Sequence, residues 1–196
     1  TAVDFLETLD MPAYKIASFE ITDHILIKRI AQTGKPVIIS SGMASLSELN
    51  DAVSLLREQG TKQICMLKCT SAYPSRPEDA NLATIKNLSD TFNVVAGLSD
   101  HTLGTAVPIT ANALGARIIE KHFIKSRNEG GPDSSFSLEP NEFKEMIDTI
   151  RISEKAIGNV HYGGVRGEVR IFRRSLFIVK DLKKGDKLIE GVNIRS

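Results

Sequence analysis

The sequence predicts an α/β protein and, within that class, a (β/α)8 TIM barrel of which strands four to eight are present. Short β-branched or apolar runs alternate with helix-period segments, roughly 25 to 30 residues per strand and helix, as repeated βα units require. The strands are near-continuously apolar, which implies burial on both faces, as in a parallel sheet covered by helices. All five strands end in polar, chemistry-bearing residues, and no glycine-rich phosphate loop marks a dinucleotide fold. A barrel gathers every strand's C-terminal end around one mouth, whereas an open doubly wound sheet concentrates its chemistry at one switch point. Five strands do not close an eight-stranded barrel, so three more are expected ahead of Thr1.

The first strand is expected at 14–18 (YKIAS), followed by a helix over 23–34 that stops at Gly34. The second strand, 36–41 (PVIISS), leads to a helix over 45–60. There Ser45 caps the N-terminus, Glu48 stands three residues on, and Gly60 ends the run. The third strand, 64–71 (ICMLKCTS), precedes a helical pattern over 81–92. The fourth, 94–100 (VVAGLSD), is followed by a helix over 105–116 with Pro108 in its first turn, where proline is tolerated. The fifth, 117–123 (RIIEKHF), leads to a longer amphipathic helix over 141–158. After Gly158 the composition turns glycine-rich and basic. The expected division is therefore 1–158 for the barrel portion, 159–170 for a linker and 171–196 for the start of a second small module. That module reads as a strand, a KKGDK turn and a second short strand.

Composition excludes some partners. With 196 residues, 41% hydrophobic content and a net charge of +1, the chain can bury a core, and its charge does not suggest nucleic acid. No run approaches the about 18 apolar residues of a membrane span, and no signal-peptide pattern opens the chain, so no membrane partner and a cytoplasmic location are expected. Cys65 and Cys69 lie too close along one strand to pair and lack a second ligand pair for zinc. They read as reduced thiols.

Two motifs, GLSDHTLG at 97–104 and IIEKHF at 118–123, end apolar runs in polar clusters. Neighbouring parallel strands lie about 4.8 Å apart, so His101 and His122 at adjacent strand ends can face one ion. Period-two alternation puts Ser99 with His101, and Glu120 with His122. Two imidazoles near carboxylates suit a divalent metal, with Mn, Fe, Co, Zn and Mg all open. The competing reading makes each histidine a satisfied core group. His24 and His161 read as solvated. Lys15, Ser18, Ser40 and Ser99 are suited to hold a polyanion in the barrel mouth, while ordinary turn and helix-cap chemistry would equally place serines there. Lys15 and Ser18 have opposite strand parity, so a bulge or the strand's end must fall between them.

The motifs YKIASFEI, KPVIISSGMA, LKCTSAYP, GLSDHTLG, IIEKHF and GPDSSFSLEP, in this order, resemble the synthases of nine-carbon sialic-type sugar acids over the whole of Thr1–Ser196. The chain is most similar to the pseudaminic branch: ASFE stands where the sialic branch has GSGE, and Ser71 in CTSAYP stands where that branch has asparagine. The resemblance implies condensation of phosphoenolpyruvate with a six-carbon N-acetylated amino sugar, with release of phosphate by carbon–oxygen cleavage. By the same resemblance, Lys15, Ser18, Ser40 and Ser99 hold phosphoenolpyruvate, with Ser71 and Tyr73 beside them. His101 and His122 bind a divalent ion, Mn2+ or Mg2+ with Co2+ as a further candidate, which polarises the sugar aldehyde. Glu20, Glu120 and Asp133 bind sugar hydroxyls or manage protons, although Asp133 in GGPDSS also suits a plain turn.

The resemblance further implies an early glutamate and lysine on strands outside this chain, and a C-terminal antifreeze-like (SAF) domain of which 171–196 is the start. That domain lends an arginine to the partner's site, so a homodimer is expected for the whole enzyme and no activity for these residues alone. The expected acceptor is a 2,4-diacetamido-2,4,6-trideoxy sugar, with Phe19, Ala72 and Phe136 as apolar lining; N-acetylmannosamine is the alternative. A metal-dependent barrel aldolase or lyase, or a non-catalytic sugar-binding piece, are the readings from other classes.

Overall fold

The apolar runs fold into five parallel strands: β1 (Tyr14–Ile16), β2 (Val37–Ser40), β3 (Ile64–Cys69), β4 (Val95–Asp100) and β5 (Ile119–Lys121). The computed structural model describes residues 1–164 and 167–196; Val165 and Arg166, inside the expected linker, lie outside the described residues. The chain divides into two compact units, Thr1–Gly158 and Asn159–Ser196.

In the first unit the strand order is β1-β2-β3-β4-β5, each strand pairing with the next in sequence. Such an order has no switch point, which excludes the doubly wound alternative. The register brings Lys15 beside Ile38, Cys69 beside Ser99, and Ser99 beside Glu120. The sheet is also curled. In a flat sheet β1 and β5 would stand roughly 19 Å apart, beyond the combined reach of a lysine and a glutamate, yet Lys15 Nζ lies 3.5 Å from Glu120 Oε2.

The connecting helices are α2 (His24–Ala31), α3 (Leu46–Glu58), α4 (Thr84–Phe92) and α5 (Ala106–Ala113), with α1 (Ala2–Glu7) before the sheet and α6 (Pro140–Ile157) after it. The expected capping box of α3 is present: Glu48 N–H donates to Ser45 Oγ at 3.3 Å, and Ser45 N–H donates to Glu48 Oε2 at 2.7 Å. The fourth helix starts at Thr84 rather than at 81, because 81–83 are spent on a turn. It ends where Asn93 takes φ +48°, the left-handed cap that asparagine tolerates. Proline opens α6, where its missing N–H costs nothing.

Strand parity sorts the side chains. Tyr14, Ile16, Val37, Ile39, Met66, Ala96 and Leu98 join Ile27, Val53, Leu56, Ile85 and Leu88 of the helices in one core. Each fully buried Ile or Leu there stabilises the fold by about 1.5–3 kcal/mol. The alternate positions line the concave face, apolar toward the N-terminal ends and polar toward the C-terminal ends. A cavity of about 970 Å³ opens at the N-terminal ends, where Ile38, Cys65 and Val95 line it. On the concave side Gly97 is obligatory in size: a Cβ there would stand 2.2 Å from the Ile118 carbonyl oxygen and 2.7 Å from Leu67 Cδ2.

The strands are shorter than the sequence suggests. After Ile16 the chain enters a 3-10 turn, Ser18–Glu20, so the strand's end falls between Lys15 and Ser18, as their parity demands. Beyond Lys121 the ladder with β4 stops, and Phe123 instead bridges to Leu138. In the second unit a 3-10 helix spans Gly167–Phe172, and β6 (Phe177–Ile178) pairs antiparallel with β7 (Ile194–Arg195). Between them Lys183 N–H donates to Asp186 Oδ2 at 2.7 Å, closing the expected KKGD turn. Both cysteines are free and buried. Among the described residues no helix is long and apolar enough to cross a membrane.

Candidate active site

Four side chains from four strands meet at the C-terminal ends of the concave face. Lys15 Nζ donates to Ser40 Oγ at 2.7 Å and reaches Glu120 Oε2 at 3.5 Å; Ser99 Oγ donates to Glu120 Oε1 at 2.6 Å. A hydroxyl, an ammonium, a carboxylate and a second hydroxyl thus form one connected row. Lys15 and Glu120 remain partly exposed, so the row is open to a ligand.

A second group lies beside it. Ser18 is buried; its Oγ accepts from Gly42 N–H at 3.1 Å and donates to Cys69 Sγ at 3.4 Å. Ser71 Oγ is buried without a hydrogen-bond partner. A Cβ at position 42 would lie 2.3 Å from Ser71 Oγ and 2.4 Å from Ser18 Oγ, so only glycine leaves room for this cradle. An unsatisfied buried hydroxyl is costly, and an incoming acceptor or donor would relieve it.

The histidines close the other side. Their ring centroids are 5.2 Å apart, and Tyr73 and Phe136 pack against them at 4.3 Å from His101 and 4.9 Å from His122 respectively. The His101 Nδ1–H donates to the Thr70 carbonyl at 2.8 Å, because a carbonyl can only accept. In the neutral ring the lone pair is then on Nε2, the usual tautomer of a metal-ligating imidazole, and the Cys69 thiol hydrogen-bonds with the same ring. His122 Nδ1 stands 3.6 Å from Asp133 Oδ2 on the loop that follows β5. A small cavity of about 250 Å³ adjoins them, lined by Ser99, His101, Glu120 and His122. Among the described residues no group of three or more His, Cys, Asp and Glu side chains is arranged to hold a metal. The donor chemistry that fits a divalent ion here is therefore two imidazoles, with the remaining positions open.

Electrostatics couples these groups. Burial lowers the His122 pKa, and the neighbouring His101 lowers it further. Burial pulls the same way on His101, but hydrogen bonding with Cys69 and with the Thr70 carbonyl outweighs it and raises that pKa. Cys69 is the counterpart: burial resists ionisation, yet hydrogen bonding from His101 and Ser18 prevails and brings the thiol to about 7.

Lys15, Ser40, Ser99 and Glu120 are thus in one connected row, Ser18 and Ser71 in the adjoining cradle, and Tyr73, His101, His122 and Asp133 in the aromatic and imidazole cluster. Glu20 joins none of these groups: its Oε2 accepts from Ala17 N–H at 2.8 Å, holding the turn after β1. Phe136 is buried beside His122, while Phe19 is 63% exposed. Gly42, Cys69 and Lys121 escape the sequence reading as members of the site, whereas Thr70 and Asp100 are among the polar residues it finds at the strand ends, without a role. Strand parity was the signal available for Cys69, which shares a face with Leu67 and Ser99. It also separates Asp100 from its strand neighbours: this carboxylate lies on the helix-facing side, bound to Lys121.

Parallel strands in sequential order, curled so that their C-terminal ends carry one polar site, define a barrel-type α/β protein with its chemistry at the strand ends. Residues 1–162 match the model of the NeuB family, and the chain belongs to that family. It is 48% identical over 198 residues to a pseudaminic acid synthase of Helicobacter pylori, an alignment that takes in 100% of this chain and 58% of that protein. It is 40% identical over 195 residues to an N,N'-diacetyllegionaminic acid synthase of Campylobacter jejuni, with 97% of this chain and 58% of that protein covered. Among solved structures, an N-acetylneuraminic acid synthetase from Leptospira borgpetersenii, in complex with citrate, superposes with a TM-score of 0.78 at 32% identity. That match covers 87% of this chain and 59% of the other. The chain thus spans less than two thirds of the length of these relatives.

Proposed function

We propose that the complete protein carrying this chain condenses phosphoenolpyruvate and water with a 2,4-diacetamido-2,4,6-trideoxy sugar, giving pseudaminic acid and inorganic phosphate. The observation that carries this reading is the 48% identity to a pseudaminic acid synthase over the whole chain. The polar mouth supports it. Lys15, with Ser40 and Ser99, supplies the cationic and neutral donors a phosphate and a carboxylate need, and the Ser18–Ser71 cradle over Gly42 supplies more. Glu120 sits where it can accept or return a proton at a sugar hydroxyl, and Asp133 faces His122 across the site. His101 and His122 would hold a divalent ion, Mn2+ or Mg2+ with Co2+ as a further candidate; when bound it supplies Lewis-acid polarisation of the sugar aldehyde. Tyr73 and Phe136 keep water from one side of the two imidazoles and give the acceptor an apolar wall.

The same reading assigns 1–158 to strands four to eight of the barrel, 159–170 to a linker and 171–196 to the start of an antifreeze-like domain. It makes the working enzyme a transferase and a homodimer. Phosphoenolpyruvate labelled with 18O in its bridging position tests the reaction class in the complete protein. Carbon–oxygen cleavage sends the label into phosphate. Label retained in the sugar acid, or no phosphate release, would exclude this class and leave a barrel aldolase or lyase.

A further inference from the structure

Directly behind the two histidines, on the opposite parity, lies an ion pair sealed from solvent. Asp100 Oδ2 and Lys121 Nζ are 2.5 Å apart, and each side chain is 1% exposed. Lys121 Nζ also donates to the Thr102 carbonyl at 2.6 Å. Asp100 Oδ1 accepts from Thr102 N–H at 3.0 Å and from Thr102 Oγ1 at 2.9 Å. His101 is therefore bracketed by two residues tied to one ammonium, and that ammonium belongs to the residue preceding His122.

The position of the pair is informative. Asp100↔Lys121 is the last rung of the β4–β5 ladder, so both histidines lie just beyond the backbone pairing that would otherwise fix their separation. A buried charge pair is an inefficient way to fill a core, since well-packed apolar residues of similar volume serve stability as well or better. What the pair adds is a fixed geometry. We propose that Asp100, Lys121 and Thr102 form a positioning clasp that sets the spacing and direction of the His101 and His122 rings. Its consequence for metal affinity rests on the reading of these histidines as metal ligands; its consequence for ring geometry does not.

The test uses the complete protein and the double variant Asp100→Asn/Lys121→Met. This removes both charges together and keeps an acceptor for Thr102 N–H. In metal-free protein, imidazole 1H–15N resonances are assigned with His101→Ala and His122→Ala. The resonances of both rings are expected to shift in the folded double variant while those of His24 and His161 stay in place. Mn2+ affinity, followed by electron paramagnetic resonance of the free ion, is expected to fall by about 10–100-fold. A folded double variant with both rings unmoved and Mn2+ affinity unchanged would overturn the clasp. Should the parent protein show no Mn2+ binding that depends on His101 and His122, the metal reading fails and the ring resonances alone decide the clasp. If the double variant does not fold, Thr102→Val, which removes only the hydroxyl bond to Asp100, decides in the same way: shifted rings support the clasp, and unmoved rings overturn it.

Discussion

The two faces of one sheet are built from the same strands and do opposite work. Toward the helices, Ile16, Val37, Ile39 and Met66 are each no more than 1% exposed and belong to the main core. On the concave face, one residue away along the same strands, Lys15, Ser40, Ser99 and Glu120 are joined by hydrogen bonds and an ion pair, and Lys15 and Glu120 stay within reach of solvent. Because successive side chains alternate, stability and chemistry can be specified almost independently. Substitutions on the two faces should therefore fail in different ways.

The largest effect on chemistry is expected from Lys15→Met. Its methylene stem is preserved, so the melting temperature of the complete protein should scarcely move. The loss of the ammonium in this row should lower kcat/KM by about 10²–10³-fold, the scale of removing one preorganised donor. A matching drop in melting temperature would mean that the concave face carries stability after all. The mirror experiment is Ile39→Ala on the helix-facing side, expected to cost about 2–5 kcal/mol in denaturant unfolding. Steady-state constants of the folded fraction should stay near the parent's. A large kcat change without a stability change would break the division between faces.

A smaller effect sharpens the picture at the edge of the site. Arg127 clamps the loop that carries Asp133: its Nη1 donates to Glu142 Oε2 at 2.6 Å and to the Ser137 carbonyl at 3.0 Å. The Arg127 hydrogen bond holds the Glu142 pKa at about 2, below the ordinary 4.5. A depressed carboxylate stabilises the fold fully above 4.5 and loses that contribution as pH falls through about 2. Since Glu142 is 41% exposed, the energy at stake is small. Carboxyl 13C NMR should place the Glu142 midpoint near 2; a midpoint near 4.5 would remove the clamp.

Much of this was legible in the sequence. Apolar runs fixed where the strands lie, and period-two alternation put Ser99 with His101 and Glu120 with His122 on one face. Strand ends were not legible, because a ladder stops where tertiary pairing changes. Phe123 looks like the end of a strand, yet it bridges to Leu138 instead. Glu20 reads as an acid at a strand end, but a side chain that can cap its own turn does so locally, here on Ala17 N–H. Asp100 sits among functional neighbours in the sequence while its partner, Lys121, is 21 residues away, a pairing only the register reveals. Phe19 and Phe136 look alike as apolar lining, and only the fold separates the exposed one from the one packed on His122.

On the proposed reading, the polar C-terminal ends of the concave face serve a condensation with phosphoenolpyruvate, with apolar groups such as Phe136 favouring a 6-deoxy, diacetamido acceptor. Mass spectrometry of products from the complete protein, given phosphoenolpyruvate, Mn2+ and either that sugar or N-acetylmannosamine, tests this most directly. The expected products are a nine-carbon acid and stoichiometric phosphate from the diacetamido sugar, with kcat/KM at least about 10-fold above that for N-acetylmannosamine, the lower end of what a methylene-sized difference supplies. Equal efficiencies, or a preference for N-acetylmannosamine, would contradict it and give the N-acetylneuraminate synthase reading its place.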